Sequence, residues 1–118
     1  MNRQLFFLDD EHEEKFFRLV SGKFKENDKE YSSAFYILTA DEELRRKGMK
    51  YITTDGIRWD GIWDEDWSSG YRVLLQLGES LFKSSGRADI VYGLGIWGDE
   101  LYRIAMEAIR IRRSGIPG

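Results

Sequence analysis

The sequence predicts a mainly α-helical fold, a compact bundle of four to five helices with one small β-hairpin near residues 50–60. Three observations support this fold class. Apolar residues recur every three to four positions in several segments, which is the period of an amphipathic helix. Proline occurs once, at Pro117, so no proline interrupts a helix. The length of 118 residues suits one core, so we expect residues 1–118 to form a single domain.

Five segments carry the helical pattern of apolar residues. They are residues 10–24, 29–38, 40–47, 69–83 and 99–113. Two of the predicted helix starts have capping-box patterns, Asp10 with Glu13 and Thr39 with Glu42. Gly78 lies within the apolar stripe of the fourth segment, where glycine costs roughly 1 kcal/mol relative to alanine. We therefore expect another helix to approach closely at Gly78.

The middle of the chain has a different pattern. Residues 51–54 and 57–60 are β-type runs on either side of Asp55-Gly56, and an Asp-Gly dipeptide between such runs predicts a hairpin turn. Residues 59–67 are an acidic, aromatic linker. Residues 88–96 are short and rich in glycine, and the pattern there leaves helix and strand open, with a β-type run at 89–92.

Composition excludes several kinds of site and partner. The chain has no cysteine and one histidine, so thiolate sites and multi-histidine metal sites within one copy are excluded, and we expect no cofactor and no metal. A net charge of −3 makes a nucleic-acid partner unlikely, because phosphate binding needs a basic face. No apolar run approaches the ~20 residues that span a bilayer, and the first residues do not resemble a signal peptide. We expect a cytoplasmic protein without a membrane partner.

A glycine motif occurs near the C-terminus, as Gly93-Leu-Gly95-Ile-Trp-Gly98. The same spacing binds dinucleotides when it follows a strand in a complete βαβ unit, with an acidic residue about 20 positions further on. Here no strand follows the motif, and the bulky Trp97 lies where a backbone would have to approach a pyrophosphate. We therefore interpret the motif as a tight turn into the last helix, with Trp97 packed in the core.

His12 and several carboxylates are candidate catalytic or metal-binding groups. His12 lies among acidic residues that favour its protonated form, but it shares a helical stripe with Phe16. We therefore interpret His12 as a packed or capping side chain. The acidic residues near Asp60 and Asp64 lack the spacing of a calcium loop.

Three tryptophans spaced by four residues form the candidate binding surface. Trp59, Trp63 and Trp67 would make one aromatic ridge edged with carboxylates, such as that of Asp64, if the segment is helical. Aromatic residues with a charged rim are typical anchors of protein interfaces. The alternative is that at least one of these rings covers the core. We select Trp59, Trp63, Asp64 and Trp67 as candidate partner-binding residues.

Several blocks of the chain are similar to a known family. Residues 6–20, 34–38 and 74–82, together with Trp97 and Ile109-Arg110, resemble a small uncharacterised family of Gram-positive bacteria and their phages. The resemblance supplies no catalytic residues. It implies a small non-enzymatic accessory protein of phage or prophage type that binds a bacterial protein, for example to inhibit a host antiviral-defence factor.

Two other functions remain open at this point. The first is a protein that sequesters a small molecule such as a nucleotide signal, with arginine and aromatic side chains lining a pocket between subunits; a homo-oligomer is compatible with this hypothesis. The second is an enzyme that uses His12 with Glu13 or Glu14. Ligand-induced thermal stabilisation would support the first, and loss of an activity in His12→Gln would support the second.

The tryptophan surface leads to a direct prediction. If Trp63 is an exposed anchor, Trp63→Ala should abolish capture of the partner and leave the thermal midpoint nearly unchanged. The measurement is affinity capture from bacterial lysate, followed by mass spectrometry, beside a thermal melt. Unfolding of Trp63→Ala would instead place this side chain in the core.

Overall fold

Helices form most of the part of the chain that the computed structural model describes, residues 4–22, 28–86 and 88–117. Seven α-helices and one two-stranded antiparallel hairpin occur in these ranges, which confirms the mainly α fold with a small hairpin. In chain order the elements are α1 (Asp10–Ser21), α2 (Lys29–Leu38), α3 (Glu42–Gly48), a 3₁₀ turn (Met49–Tyr51), β1 (Ile52–Thr53), β2 (Gly56–Ile57), α4 (Trp59–Asp64), α5 (Ser69–Lys83), α6 (Ile90–Ile96) and α7 (Asp99–Ser114).

Helix α2 lies at the centre of the fold. All of its residues from Ser32 to Leu38 are buried, and α1, α3, α5 and α7 pack around it. Two buried hydroxyls are satisfied by α2 itself, because Ser33 donates to the Glu30 carbonyl and Thr39, at the end of the helix, donates to the Phe35 carbonyl. Because α2 is buried on all sides, each of the helices that surround it turns one apolar face inward.

Close packing at Gly78 confirms the prediction for α5. A Cβ at Gly78 would lie 3.3 Å from a methyl carbon of Ile37 and 3.6 Å from the ring of Trp59. The 3.3 Å contact is tighter than ordinary van der Waals separation, and the 3.6 Å contact is ordinary. The missing side chain therefore lets α5 approach α2 and α4 at this point.

The segment before α1 is attached to the bundle through its backbone. The Phe6 amide donates to Glu107 Oε2 on α7 at 2.6 Å, and the Tyr36 hydroxyl donates to the Phe6 carbonyl. The Arg103 guanidinium stacks over the Phe6 ring at 3.6 Å from its centroid. Leu8 donates its amide to His12 Nδ1 at 3.2 Å. The segment thus connects α1, α2 and α7.

Two helix caps differ from the prediction. Asp9, rather than Asp10, caps α1 by accepting from the His12 amide at 2.8 Å. Asp41, rather than Thr39, caps α3 by accepting from the Leu44 amide at 2.9 Å. The reason at α3 is that the Thr39 hydroxyl is already bonded to Phe35 at the end of α2. Helix α1 also ends at Ser21, since Gly22 is its C-cap and not part of the predicted longer helix; residues 23 and 24 of the predicted range lie outside the described residues.

The hairpin is confirmed, with its turn one residue earlier than predicted. Ile52 pairs with Ile57 and Thr53 pairs with Gly56, so Thr54 and Asp55 occupy the turn. The Thr53 hydroxyl accepts from the Asp55 amide and donates to the Gly56 carbonyl, which closes this turn with a side chain. Gly56 has a φ of +141°, a backbone conformation that favours glycine.

The predicted linker at residues 59–67 contains a short helix. So does the segment at residues 88–96, whose sequence fits either a helix or a strand. Residues 59–64 form α4, and the β-type run at 89–92 is the start of α6, so a strand there is wrong. Asp89 favours the helix because its side chain accepts from the Tyr92 amide at 3.0 Å. No helix among the described residues is both long enough and apolar enough to cross a membrane.

The cap of α3 gives a stability prediction. Asp41→Ala removes the acceptor of the Leu44 amide and of the Tyr71 hydroxyl, so the free energy of unfolding should fall by about 1–2 kcal/mol. Glu42→Ala removes an exposed pair with Arg46 and should change it by less than about 0.5 kcal/mol. Urea unfolding of both variants measures the difference. Equal losses would contradict the assignment of Asp41 as the cap.

Candidate functional site

The tryptophans do not form the predicted exposed ridge. Trp59 is 5% exposed and Trp67 is 4% exposed, so both belong to the core. The Trp59 ring packs against Phe82, and Trp67 donates its ring N–H to the Ile62 carbonyl at 2.7 Å. Only residues 59–64 are helical, so Trp67 does not continue the helical face. The alternative, that at least one ring covers the core, is confirmed.

Trp63 and Asp64 lie nearer the surface than the other two residues of the candidate set. Asp64 is exposed, whereas Trp63 is half-buried and donates its ring N–H to Glu79 Oε1 at 3.0 Å. This bond fixes the Trp63 side chain to α5. Loss of the ring should therefore lower stability, which conflicts with the expectation of an unchanged thermal midpoint in Trp63→Ala.

A polar groove of about 640 Å³ lies beside Trp63, between the segment after α4 and helix α5. Its charged side chains balance, with two carboxylates and two cations: Glu65, Glu79, Arg72 and Lys83. Lys83 pairs with Glu79 at 2.9 Å, and hydrogen bonds from the Tyr51 hydroxyl and Lys50 hold the pKa of Glu65 below its usual value. A groove with no excess of positive charge gives little attraction to a phosphate ligand.

His12 is fully buried and both of its ring nitrogens are occupied. Nδ1 accepts from the Leu8 amide at 3.2 Å, so Nε2 carries the proton, and it lies 2.9 Å from the Tyr36 carbonyl oxygen. Burial lowers the pKa of His12 to about 4. The expectation of a packed histidine is confirmed, and Glu13 and Glu14, its proposed catalytic partners, are exposed on the other side of α1.

A second buried polar side chain, Glu107, holds the N-terminal segment in place. Glu107 is buried; its Oε1 accepts from Arg110 at 2.7 Å and its Oε2 accepts from the Phe6 amide. The depression beside it, of about 510 Å³, also includes Arg103 and Tyr102. Each oxygen of the Glu107 carboxylate accepts a hydrogen bond from a group of the same chain. Glu107 therefore attaches the N-terminal segment to α7.

The glycine motif lies on α6 and at its end, and not between a strand and a helix. A Cβ at Gly93 would lie 2.5 Å from the Trp97 ring, so this glycine is required by packing. Trp97 is buried and donates its ring N–H to the Gly70 carbonyl at 3.0 Å. The expectation of a packed Trp97 is confirmed. The element that precedes the turn into α7 is helix α6 and not a strand.

Four of the six large apolar side chains that are exposed among the described residues lie on α6, and the other two are Phe17 on α1 and Tyr102 on α7. Val91 is 80% exposed, Tyr92 and Leu94 are each 52% exposed, and Ile96 is 38% exposed. The opposite side of α6, with Ile90 and Gly93, packs toward the core and against α5. We call residues Val91, Tyr92, Leu94, Gly95 and Ile96 the α6 surface.

Sequence reasoning missed this surface, although the sequence contains a signal for it. Residues 90–96 include no charged side chain and are apolar on every side of the helix. A helix of this kind is usually buried on all sides, so exposure of one half is unusual. Charged residues flank it, since Asp89, Asp99 and Glu100 are exposed. None of the ion pairs found among the described residues includes these three carboxylates.

The fold and these surfaces define a small, mainly helical protein with one exposed apolar helix. Among the residues that the structure describes, no group of three or more histidine, aspartate or glutamate side chains is placed to hold a metal ion. The chain belongs to a family of unknown function, DUF6075, which it matches over residues 2–112. No curated protein and no solved structure matches the chain. Membership of an uncharacterised family is thus confirmed, and the Gram-positive and phage origin stays a prediction.

Two glycines in α6 form a matched pair for a stability test. Gly93→Ala should lower the free energy of unfolding by about 1–3 kcal/mol, because the new methyl group overlaps the Trp97 ring. Gly95→Ala should raise it by up to about 1 kcal/mol, because no atom lies within 4 Å of the new position. Denaturant unfolding of both variants measures the contrast. Destabilisation of equal size would show that Gly95 is also required by the fold.

The buried His12 predicts a loss of stability in mild acid. Its pKa is lower in the folded chain than in the unfolded chain, so the contribution is complete above the unfolded value of about 6.5 and declines as pH falls toward 4. Between about pH 7 and about pH 5, the free energy of unfolding should fall by about 2 kcal/mol. In His12→Gln this part of the pH dependence should disappear. A ring titration near pH 6.5, measured by NMR on the folded chain, would contradict it.

Proposed function

We propose that this protein acts without catalysis, by binding another protein, and that the α6 surface makes the contact. The observation that carries the proposal is the exposure of Val91, Tyr92 and Leu94 on a helix that has no polar side chain to face water except the Tyr92 hydroxyl. Transfer of such side chains out of water contributes roughly 25 cal/mol per Å² of apolar surface. A partner that covers α6 would gain this contribution.

The surroundings of His12 support the non-enzymatic part of the proposal. A general acid or base must reach the proton of its substrate through a hydrogen bond or one water molecule. His12 is inaccessible to solvent, and both of its nitrogens are engaged by the backbone at Leu8 and Tyr36. This arrangement favours a structural role over the alternative of an enzyme that uses His12.

The charge balance of the groove beside Trp63 favours protein binding over sequestration of a nucleotide signal. Arg72 and Lys83 are opposed there by Glu65 and Glu79. Arg72 is also engaged, since its Nη2 donates to the Trp67 carbonyl at 3.1 Å. A phosphate would have to compete with these contacts, whereas Val91, Tyr92 and Leu94 on α6 are exposed to solvent.

The finer part of the proposal concerns the identity of the partner. We propose a bacterial protein, and inhibition of a host antiviral-defence factor is one role that such binding would serve. This part rests on the resemblance of residues 6–20 and 34–38 to phage-associated sequences. Of the four partner-binding residues proposed from the sequence, Trp63 and Asp64 are not buried, and they offer a second surface that the same experiment can compare with α6.

One substitution separates the α6 surface from the rest of the molecule. Val91→Asp should abolish partner capture from bacterial lysate, because it places a charge in the apolar contact, and should leave the thermal midpoint nearly unchanged because Val91 is exposed. Thr54→Asp is the matched control, a change of similar size and equal charge on the exposed hairpin turn. It should capture the partner as the unmodified chain does.

Trp63→Ala decides between the two surfaces. If α6 makes the contact, this variant should retain capture and melt at a lower temperature, because it loses the bond to Glu79. Loss of capture in Trp63→Ala together with full capture in Val91→Asp would move the binding site to the groove. The quantity compared is the amount of captured protein by mass spectrometry, relative to the unmodified chain.

A further inference from the structure

The α6 surface extends around much of its helix. With about 100° per residue, the exposed positions follow one another around the axis in the order Leu94, Val91, Gly95, Tyr92 and Ile96, which covers roughly 200°. A flat surface touches only part of such an arc. A partner that contacts all of these residues must be concave, as in the binding of an apolar helix in a groove.

Gly95 lies at the middle of this arc and has no role within the chain. No atom lies within 4 Å of the position that its Cβ would take, and its φ is not among the positive values recorded for glycines in this chain. Neither packing nor backbone conformation therefore requires glycine, although glycine costs up to about 1 kcal/mol in a helix. Close approach of a partner's backbone explains this residue, as close approach of Trp97 explains Gly93.

Charge and area argue against a second copy of the chain as the partner. A symmetric contact through α6 would bring the Asp89, Asp99 and Glu100 carboxylates of two copies together, and like charges oppose such a contact. Four partly exposed apolar side chains provide a few hundred Å². A stable interface buries about 800 Å² on each partner, so a flat contact between two α6 helices is too small, and a groove that holds α6 must also cover the surface beside this helix.

We infer that α6 inserts into an apolar groove of a different protein, whose rim carries lysine or arginine side chains and whose backbone passes close to Gly95. This inference rests on the proposed function and specifies the partner's chemistry. The apolar arc fills the groove, and the flanking carboxylates at Asp89, Asp99 and Glu100 meet the basic rim. Helix α5 supports the inner side of α6, and the apolar arc therefore faces outward.

The test begins by trapping the partner on the full chain. A photoreactive benzoyl-phenylalanine at position 91, in cells that naturally produce the protein, should cross-link one different protein, and the same group at position 54 should not. A cross-link between two copies of this chain, or none at position 91, would overturn the inference. The trapped protein, once purified, is then titrated with the unmodified chain and three variants.

Each variant isolates one part of the inference. Gly95→Ala should fold at least as stably as the unmodified chain and bind about tenfold or more weakly, because the methyl group blocks the close approach. The pair Asp99→Asn with Glu100→Gln should weaken binding at low salt and reduce its dependence on salt concentration. Equal affinity of Gly95→Ala, or an unchanged salt dependence in the pair, would overturn the groove as described.

The third variant, Val91→Asp, distinguishes failure of the groove inference from failure of the proposed function. Val91→Asp should lose binding of the trapped protein whichever shape the partner has. If Val91→Asp loses binding while Gly95→Ala retains it, α6 binds a protein but the close approach is wrong. If Val91→Asp binds the trapped protein fully, both the inference and the proposed function are overturned.

Discussion

Burial of α2 on all sides is the constraint on which the rest of the structure depends. A helix with no residue exposed between Ser32 and Leu38 must be covered by several neighbours, and α1, α5 and α7 supply their apolar faces for this purpose. Helix α5 also supports α6 on another side. Once these faces are paired, α6 is left at the outside with an apolar half that no other described element covers. The exposed surface is therefore a consequence of how the core is assembled.

Polar groups inside the fold attach elements to one another. His12 joins the N-terminal segment to α2 through its two nitrogens, and Glu107 joins the same segment to α7. Each of these groups is buried and hydrogen-bonded, which avoids the cost of leaving a polar atom unsatisfied. Both side chains are occupied by these contacts, and His12, a candidate catalytic group in the sequence, stabilises the fold. This supports the proposal that the protein acts through an exposed surface.

Local sequence patterns predicted the features that depend on neighbouring residues. They failed for features that contacts with distant residues determine. The 3.6-residue period predicted α2 with its observed bounds, and the bounds of α5 and α7 to within one residue. Gly78 correctly indicated that another helix approaches α5 at this position. Spacing alone does not say which side of a segment faces the core. It therefore predicts a surface for Trp59 and Trp67, although both are buried, with Trp59 against Phe82 and Trp67 against Tyr71 of α5. The α6 surface was missed because an uncharged glycine-rich run of seven residues fits a buried turn, a strand or a helix equally well.

We propose that a partner protein recognises the outward half of α6. Hydrogen–deuterium exchange of the backbone amides, compared between the free chain and the chain in complex with its captured protein, tests this most directly. We predict that the strongest slowing of exchange falls on residues 90–96, with little change along residues 63–86. Slowing concentrated on residues 63–86, with residues 90–96 exchanging as fast as in the free chain, would contradict the account.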